Sequence, residues 1–492
     1  MSVESHSPSQ LRSPALLLLS GGWLDAIVLL LAALACFSTP LLILRLGLGE
    51  DSAVSAWFFP IAAAVMLCLG IAALMLARRL SAWSPHVEAA LRRLPLVLIV
   101  LIGLALRLLW ILTFPAEPGS DGATYVDLAR RLVAGESYEM AGAHAYWPAG
   151  YPLFLAAWMK MAGTGSLAWI ASNMVLFIVA VTGVARITAL LGGNVAARLA
   201  ALLFAVWPNL VAMAGMPEKE AVIVALLPWA CWFVVSALLE RAAPWRLACA
   251  GLLLGSCMLV QPSLQLLPLL MAGLLVVSLR PLPRALGLSL ALMLGAALVV
   301  APWSVRNYEV FGQFVLVSTT GGDNLYRANN PLATGGYTGR GEVDLSALGE
   351  LEQDKEGKRL ALEWMRAHPA DFAALMLEKQ IRFMGDDAAG IYSTLKVGKA
   401  SNNSVLYLLL KAAANAWWLL MWVLLAAAAL AMRAARSRLP MLARLPLWLW
   451  LYLFTLHSIF ESAGKYHGPV LWVLPVLIAC YLAAPWSRRT FA

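Results

Sequence analysis

"PAEPGSDGATYVDLARRLVAGESYE", residues 115–139, sets five carboxylates against two arginines directly behind a long apolar run. Tyr125, Leu128, Ala129, Leu132 and Val133 recur in it at helical spacing. The spacing predicts a helix that opens at Asp121, with Gly135 as its C-cap. One face of such a helix needs water, while the run before it needs hydrocarbon. The stretch therefore marks a membrane boundary, and the fold must supply one.

Composition agrees along the whole chain. Of 492 residues, 61% are hydrophobic and only 13% charged, with 20 Trp and a mean hydropathy of +0.77. No water-soluble fold of this length needs so much apolar surface. In hydrocarbon each segment must satisfy its own backbone polar groups, so apolar runs of about 20 residues read as spanning helices. Spans are expected at 25–47, 54–77, 94–114, 167–191, 195–214, 218–239, 245–260, 262–280, 284–303, 404–432, 444–461 and 468–485. The pair 245–260 and 262–280 is short and meets at Pro262, which disfavours a continuous helix. The expected fold is an all-α polytopic membrane protein of about twelve transmembrane helices. Its first long run reads as a retained span, because no small-residue cleavage site precedes it.

The net charge of +9 is topological and points to no nucleic-acid partner. Arg78, Arg79, Arg92 and Arg93 share one loop. Arg241 with Arg246, Arg280 with Arg284, then Arg433, Arg436, Arg438 and Arg444, then Arg488 with Arg489, fall in alternate loops. With both termini cytoplasmic, all of these lie inside, and residues 115–166, 215–217, 304–403 and 462–467 lie outside. The first outer segment holds the acidic helix and a second short amphipathic run, "GYPLFLAAWMKMAG", suited to lie at the interface. The segment 304–403 is a small extracytoplasmic insert with helices expected at about 346–367 and 369–384. The six cysteines sit inside apolar runs without CxxC spacing, as small buried hydrophobes do.

Spacing alone leaves Asp121 with two roles. It sits where an N-cap sits, and a carboxylate at an interface beside the aromatic "HAYWPAGYP" also suits a general base facing a lipid substrate. Four ordered motifs add to this. "SDGATYVDLARRLVAG" followed by "AYWPAGYPLFLA", then "MPEKEAVIVALL", then "WSVRNYEVFGQFVLVSTTGGDNLYRANNPLATGGY", then "GKYHGPVLWVLPVL" resemble lipid-linked glycosyltransferases of the GT-C superfamily. The similarity is to the bacterial branch grouped with protein O-mannosyltransferases and the lipid A aminoarabinose transferase, and it covers most of residues 94–485. Where many relatives carry Asp-Glu in the first loop, this chain has Asp121-Gly122, and Ala149 stands where a second proline is common.

The resemblance implies a GT-C-like core over 94–303, with the catalytic loop at 115–166. Residues 1–93 would be an extension bearing two extra helices, and 404–492 would carry the C-terminal helices. It implies an inverting enzyme of the bacterial cytoplasmic (inner) membrane. The enzyme would move a sugar from a polyprenyl-phosphate donor to a glycolipid, polysaccharide or protein hydroxyl on the outer face. It names no certain cofactor and leaves metal dependence open. Asp121 matches the family's catalytic acid, and Glu218 or Glu220 would be a second acid. Arg306, Lys465 and His467 would clamp the donor phosphate, and Tyr125, Tyr146, Trp147 and Tyr151 would face the sugar or the interface. Asn307, Asp323, Asn324 and Tyr466 complete the expected substrate contacts. The rival readings are a flippase for a lipid-linked sugar, which should show two related halves, and an envelope polysaccharide polymerase or ligase.

Overall fold

Apolar segments that must close their own backbone hydrogen bonds become helices. The computed structural model is accordingly helical, with a lone Met140–Ala143 bridge as the extended pairing among the described residues. The structure describes residues 22–49, 52, 54–239, 243–339, 341–435, 439 and 441–483. Arg241, Arg436, Arg438, Arg488 and Arg489 lie outside them. The helices are α1 (Trp23–Leu48), α2 (Phe58–Arg93), α3 (Leu96–Thr113), α4 (Asp121–Ala134), α5 (Gly150–Ala162) and α6 (Ser166–Ala205). There follow α7 (Pro208–Ala212), α8 (Glu220–Leu239), α9 (Pro244–Val260), α10 (Leu267–Ser278), α11 (Leu282–Phe311), α12 (Thr320–Ala328) and α13 (Glu350–Ala367). The last are α14 (Pro369–Gly385), α15 (Ala389–Tyr392), α16 (Ser404–Ala434), α17 (Leu445–Ile459) and α18 (Val473–Ala483).

Among the described residues eight helices are long and apolar enough to cross a membrane, or nine if the bent pair Gly464–Val470 and Val473–Ala483 is one span. This count does not confirm the expected twelve, and two shorter apolar helices, Pro244–Val260 and Pro262–Ser278, stand beside it. The break expected between 191 and 195 is present, and a second helical piece follows it to Ala205. Gly193, at φ 84°, bends α6, which continues only to Ala205 before Pro208 opens a short turn. Pro262 does divide α9 from α10, which have 17 and 12 residues. Helix α11 runs past 303 to Phe311, about two turns further than expected. Leu108, Leu109, Leu112, Leu290, Leu294 and Leu298 stay exposed and form an apolar outer wall.

The long connections gather at one end of the bundle. The loop before α5 receives Thr319 N–H on the Ala145 carbonyl at 3.1 Å. Glu350, at the start of α13, accepts His144 N–H at 2.7 Å and Ala145 N–H at 2.8 Å. Arg92, Arg93, Arg280, Arg284, Arg433 and Arg444 fall at the opposite helix ends.

Helix α1, expected as an addition to the core, is stitched into the bundle at both ends. Arg444 grips Asp25 bidentately at 2.9 Å, with both side chains 6% exposed, and Tyr481 donates to Asp25 at 2.5 Å. At the other end Arg45 pairs with Glu378 of α14 at 2.8 Å. Gly385 there meets Leu42 and the Ser38 carbonyl so closely that a Cβ would clash. Removing one partner of a buried pair strands the other charge. Arg444→Ala should therefore cost about 3–5 kcal/mol, read as a lowered thermal midpoint of the protein in detergent. The double variant Asp25→Leu with Arg444→Met should lose less than that single change.

Candidate active site

The acidic helix α4 begins where the sequence places it, at Asp121, and ends at Gly135 in the left-handed conformation. Ser120 occupies the N-cap position without a side-chain cap hydrogen bond, so capping does not explain the polar pair. Ser120 takes φ 50° and ψ −135°, a region costly for any residue with a Cβ. The turn is held from behind. Glu117 N–H bonds the Gly398 carbonyl at 3.1 Å, and Gly119 approaches Val397 too closely for a side chain. The π-helical turn Ser393–Val397 thus fixes where Asp121 stands.

Around Asp121 the structure gathers residues from five segments. The Asp121 carboxylate lies 3.8 Å from the Lys465 ammonium, both about half exposed. Gly122 packs on Pro217, which brings Glu218 and Glu220 beneath the start of α4. Glu218 accepts from Ser393 Oγ at 2.7 Å. Burial raises the Glu218 carboxyl to about 7, Glu220 adds to the rise, and Ser393 and Lys465 oppose it. Glu220 is buried, and its Oε2 has no partner among the described residues. It borders a cavity of about 50 Å³ together with Arg107, Asn173 and Gly468.

Tyr125 and Tyr151 are 3% and 0% exposed and meet edge-to-face at 5.5 Å. The helical spacing that predicted α4 turns Tyr125 inward onto α5, so these two buried rings stand beside the acids. Burial, with the nearby Glu218 and Glu220 charges, holds the Tyr151 hydroxyl well above its usual range, and that hydroxyl has no partner among the described residues. Lys465 and Tyr466 reach the site from the 3₁₀ segment before α18.

Other expected contacts lie elsewhere. The Arg306 guanidinium is engaged by the loop before α5. It donates to the His144 carbonyl at 2.8 Å and the Tyr138 carbonyl at 2.9 Å, with Trp303 under its guanidinium at 4.7 Å. The emerging turn of α11 passes the loop before α5, whose carbonyls need donors. Asn307, 0% exposed, bonds the Val315 carbonyl at 3.1 Å. His467 is also 0% exposed. It stacks on Trp418 at 4.6 Å, its Nδ1 lies 2.6 Å from the Phe383 carbonyl, and its Nε2 faces Asp387 at 3.2 Å. Trp147 packs edge-to-face on Tyr146 at 4.9 Å. Tyr146 donates to Asp323 at 2.6 Å, and Asn324 accepts from Arg327. Asp323 and Asn324 lie in helix α12, whose Gly322 lets the backbone come close to that of Asp354.

Sequence reasoning missed Ser393, Asp387 and Glu461. Ser393 lies 175 positions from its partner Glu218, and no local pattern records a contact of that range. Among the described residues no group of three or more His, Cys, Asp or Glu is placed to hold a metal ion.

The structure is a helical bundle with apolar helices long enough to cross a membrane, and it gathers acids and a lysine at its loop-rich end. Residues 147–305 match the model of the family described as dolichyl-phosphate-mannose-protein mannosyltransferase. Among solved structures, the oligosaccharyltransferase of Archaeoglobus fulgidus with zinc and sulfate is similar at 14% identity and a TM-score of 0.47, covering 80% of this chain and 48% of that one. The same enzyme with an inhibitory peptide and a dolichol-phosphate gives 12% identity and a TM-score of 0.43, covering 82% and 50%. ArnT of Cupriavidus metallidurans bound to undecaprenyl phosphate gives 14% identity and a TM-score of 0.38, covering 80% and 78%. The chain thus spans about half the length of the archaeal enzyme. No curated protein sequence matches it.

Two outcomes follow from the geometry. A carboxyl whose pKa is higher in the folded state binds more protons folded than unfolded, so stability falls as pH rises from its ordinary range towards about 7, then levels off. Glu218→Gln should remove that fall, seen as a flatter thermal midpoint between about pH 5 and 7. Arg306→Ala should lower the midpoint by loosening the loop before α5, while turnover per folded molecule changes little.

Proposed function

We propose that the chain transfers a sugar from a polyprenyl-phosphate carrier to an acceptor hydroxyl, with inversion at the anomeric carbon. The reaction is placed on the outer face of the bacterial cytoplasmic membrane, following the alternation of arginine-rich connections. The observation that carries the reading is the Asp121–Lys465 pair, 3.8 Å apart at the mouth of the acid cluster. It sets a proton acceptor beside a cation. The matched family description names a dolichyl-phosphate-linked donor, and the motif resemblance points the same way.

In the proposed step the acceptor hydroxyl attacks the anomeric carbon and gives its proton to the Asp121 carboxylate. The bond from that carbon to the phosphate oxygen breaks, and its electron pair stays on the departing polyprenyl phosphate. Lys465 offsets the charge that develops there. Glu218, with its raised pKa and its Ser393 partner, stays beside Asp121 to orient the acceptor. A groove of about 740 Å³ between α8, α10 and α17 is lined by Leu267, Met271, Leu449 and Leu456 and ends at Ile459. It is apolar and suits the carrier's tail. The acceptor is a glycolipid, a polysaccharide or a protein hydroxyl.

Asparagine keeps the shape of Asp121 and removes the proton acceptor. Asp121→Asn should lower polyprenyl phosphate release from a lipid-linked sugar by about 10²–10⁴-fold, at an unchanged thermal midpoint. Lys465→Ala should lower it by about a hundredfold. Release by Asp121→Asn at the wild-type rate would remove the base from this scheme.

A further inference from the structure

Across Tyr466 from the acid cluster lies a second set of polar groups. The Tyr466 hydroxyl donates to Glu461 Oε1, and the preceding residue, Lys465, is the one that faces Asp121. Glu461 is 8% exposed, and its Oε2 has no partner among the described residues. Arg327 of α12, with its side chain 13% exposed, pairs with Asp323 at 3.5 Å and donates to Asn324, yet its Nε is also unpartnered. Tyr146 completes the row through its 2.6 Å hydrogen bond to Asp323, and the Tyr337 ring lies 5.1 Å from the Arg327 guanidinium. Burial works against the charge on Arg327, but Tyr146, Asp323 and Glu461 together hold its proton more tightly than usual. Arg327 and Glu461 thus sense one another without forming an ion pair.

Leaving a buried carboxylate oxygen and a buried guanidinium N–H without partners is costly, and folded proteins rarely do so without a use for them. The chemistry of the two atoms is complementary. Glu461 Oε2 only accepts, and Arg327 Nε only donates. A pair of neighbouring hydroxyls satisfies both, one donating to the carboxylate and the other accepting from the guanidinium. The rings of Tyr146, Tyr337 and Tyr466 offer apolar faces to the ring that carries those hydroxyls. A phosphate would meet two carboxylates here, and a lipid tail would strand every one of these charges.

We propose that Glu461 and Arg327 hold neighbouring hydroxyls of the sugar being transferred, so that these two side chains set which sugar is accepted while the Asp121 cluster performs the transfer. The assignment rests on the glycosyltransferase reading. Both groups are specificity-determining, and neither takes or gives a proton.

The test uses the full chain in lipid nanodiscs and a panel of polyprenyl-phosphate-linked hexoses with their single-deoxy analogues, scored by release of polyprenyl phosphate. Wild type should use one hexose best and lose at least about tenfold when one particular hydroxyl is removed. Glu461→Gln should use the intact donor at least about tenfold less well, yet lose little more when that same hydroxyl is absent. The ratio of deoxy to intact donor is internal to each preparation, so incomplete folding scales both rates alike. Arg327→Lys, which keeps the positive charge beside Asp323 but lacks Nε, should collapse the ratio for a neighbouring hydroxyl. A wild type that discriminates, with ratios unchanged in both variants, overturns the assignment alone. A wild type inert towards every donor in the panel overturns the transferase reading and the assignment with it.

Discussion

A single buried carboxylate ties the loop-rich end together. Asp387 is 0% exposed, and a carboxylate so placed is tolerable only when its lone pairs are met. Trp207 Nε1 donates to it at 2.6 Å and Asn209 Nδ2 at 2.5 Å, and His467 Nε2 lies 3.2 Å away. The Asn415 side chain accepts the Asp387 backbone N–H at 2.9 Å. Burial pushes the Asp387 carboxyl up, while His467 and the donors oppose the rise. Four segments far apart in sequence must therefore converge on one point. Glu218 follows the first of them, Ser393 the second, and Lys465 precedes His467, so the knot sets where the acids and the lysine meet.

What the sequence disclosed follows from the range of the physics involved. Helix α4 was legible to the residue because five side chains at helical spacing and a terminal glycine are local signals. The spans from α1 to α3 were legible for the same reason. The break at Gly193 was legible too, because the Gly192-Gly193 pair interrupts the apolar run between the spans expected at 167–191 and 195–214. Arg306 and His467 were read as cations on the outer side, where positive charge is rare. Their partners turned out to be backbone carbonyls and a buried aspartate from other segments, which no spacing records. Asp121, Glu218 and Lys465 were each legible as candidates, but their meeting depends on Asp387, which carries no local pattern at all.

Strain and support are paired around Asp121. The left-handed Ser120 is a conformation that a free loop would abandon, and it persists because residues 397–398 pack against Gly119 and bond Glu117. The same strand of chain, through Ser393, holds Glu218. The stretch that follows α15 therefore positions two acids at once, from opposite sides. A carboxylate set this way loses little freedom when a substrate arrives, which is how a fold turns ordering done during folding into orientation at the site.

The segment from Ile459 to His467 is where three different environments meet. Its first carbonyl, that of Ile459, accepts from the fully buried Lys379 at 2.7 Å and from Asn329 at 2.9 Å. Burial lowers that lysine to about 7, and its hydrogen-bond partners are neutral oxygens, those of Asn329 and Ile459. The side chain of Ile459 lines the apolar groove, Glu461 acts on the Arg327 charge, Lys465 faces Asp121, and His467 enters the buried knot. This short stretch thus passes from hydrocarbon to polar groups to acid cluster to core. The donor of the proposed reaction carries the same three chemistries, an apolar chain, a charged link and a hydroxylated ring. Meeting all three requires those environments to be held at fixed separations, and a short segment pinned at both ends does so with less freedom to drift than three independent loops would have.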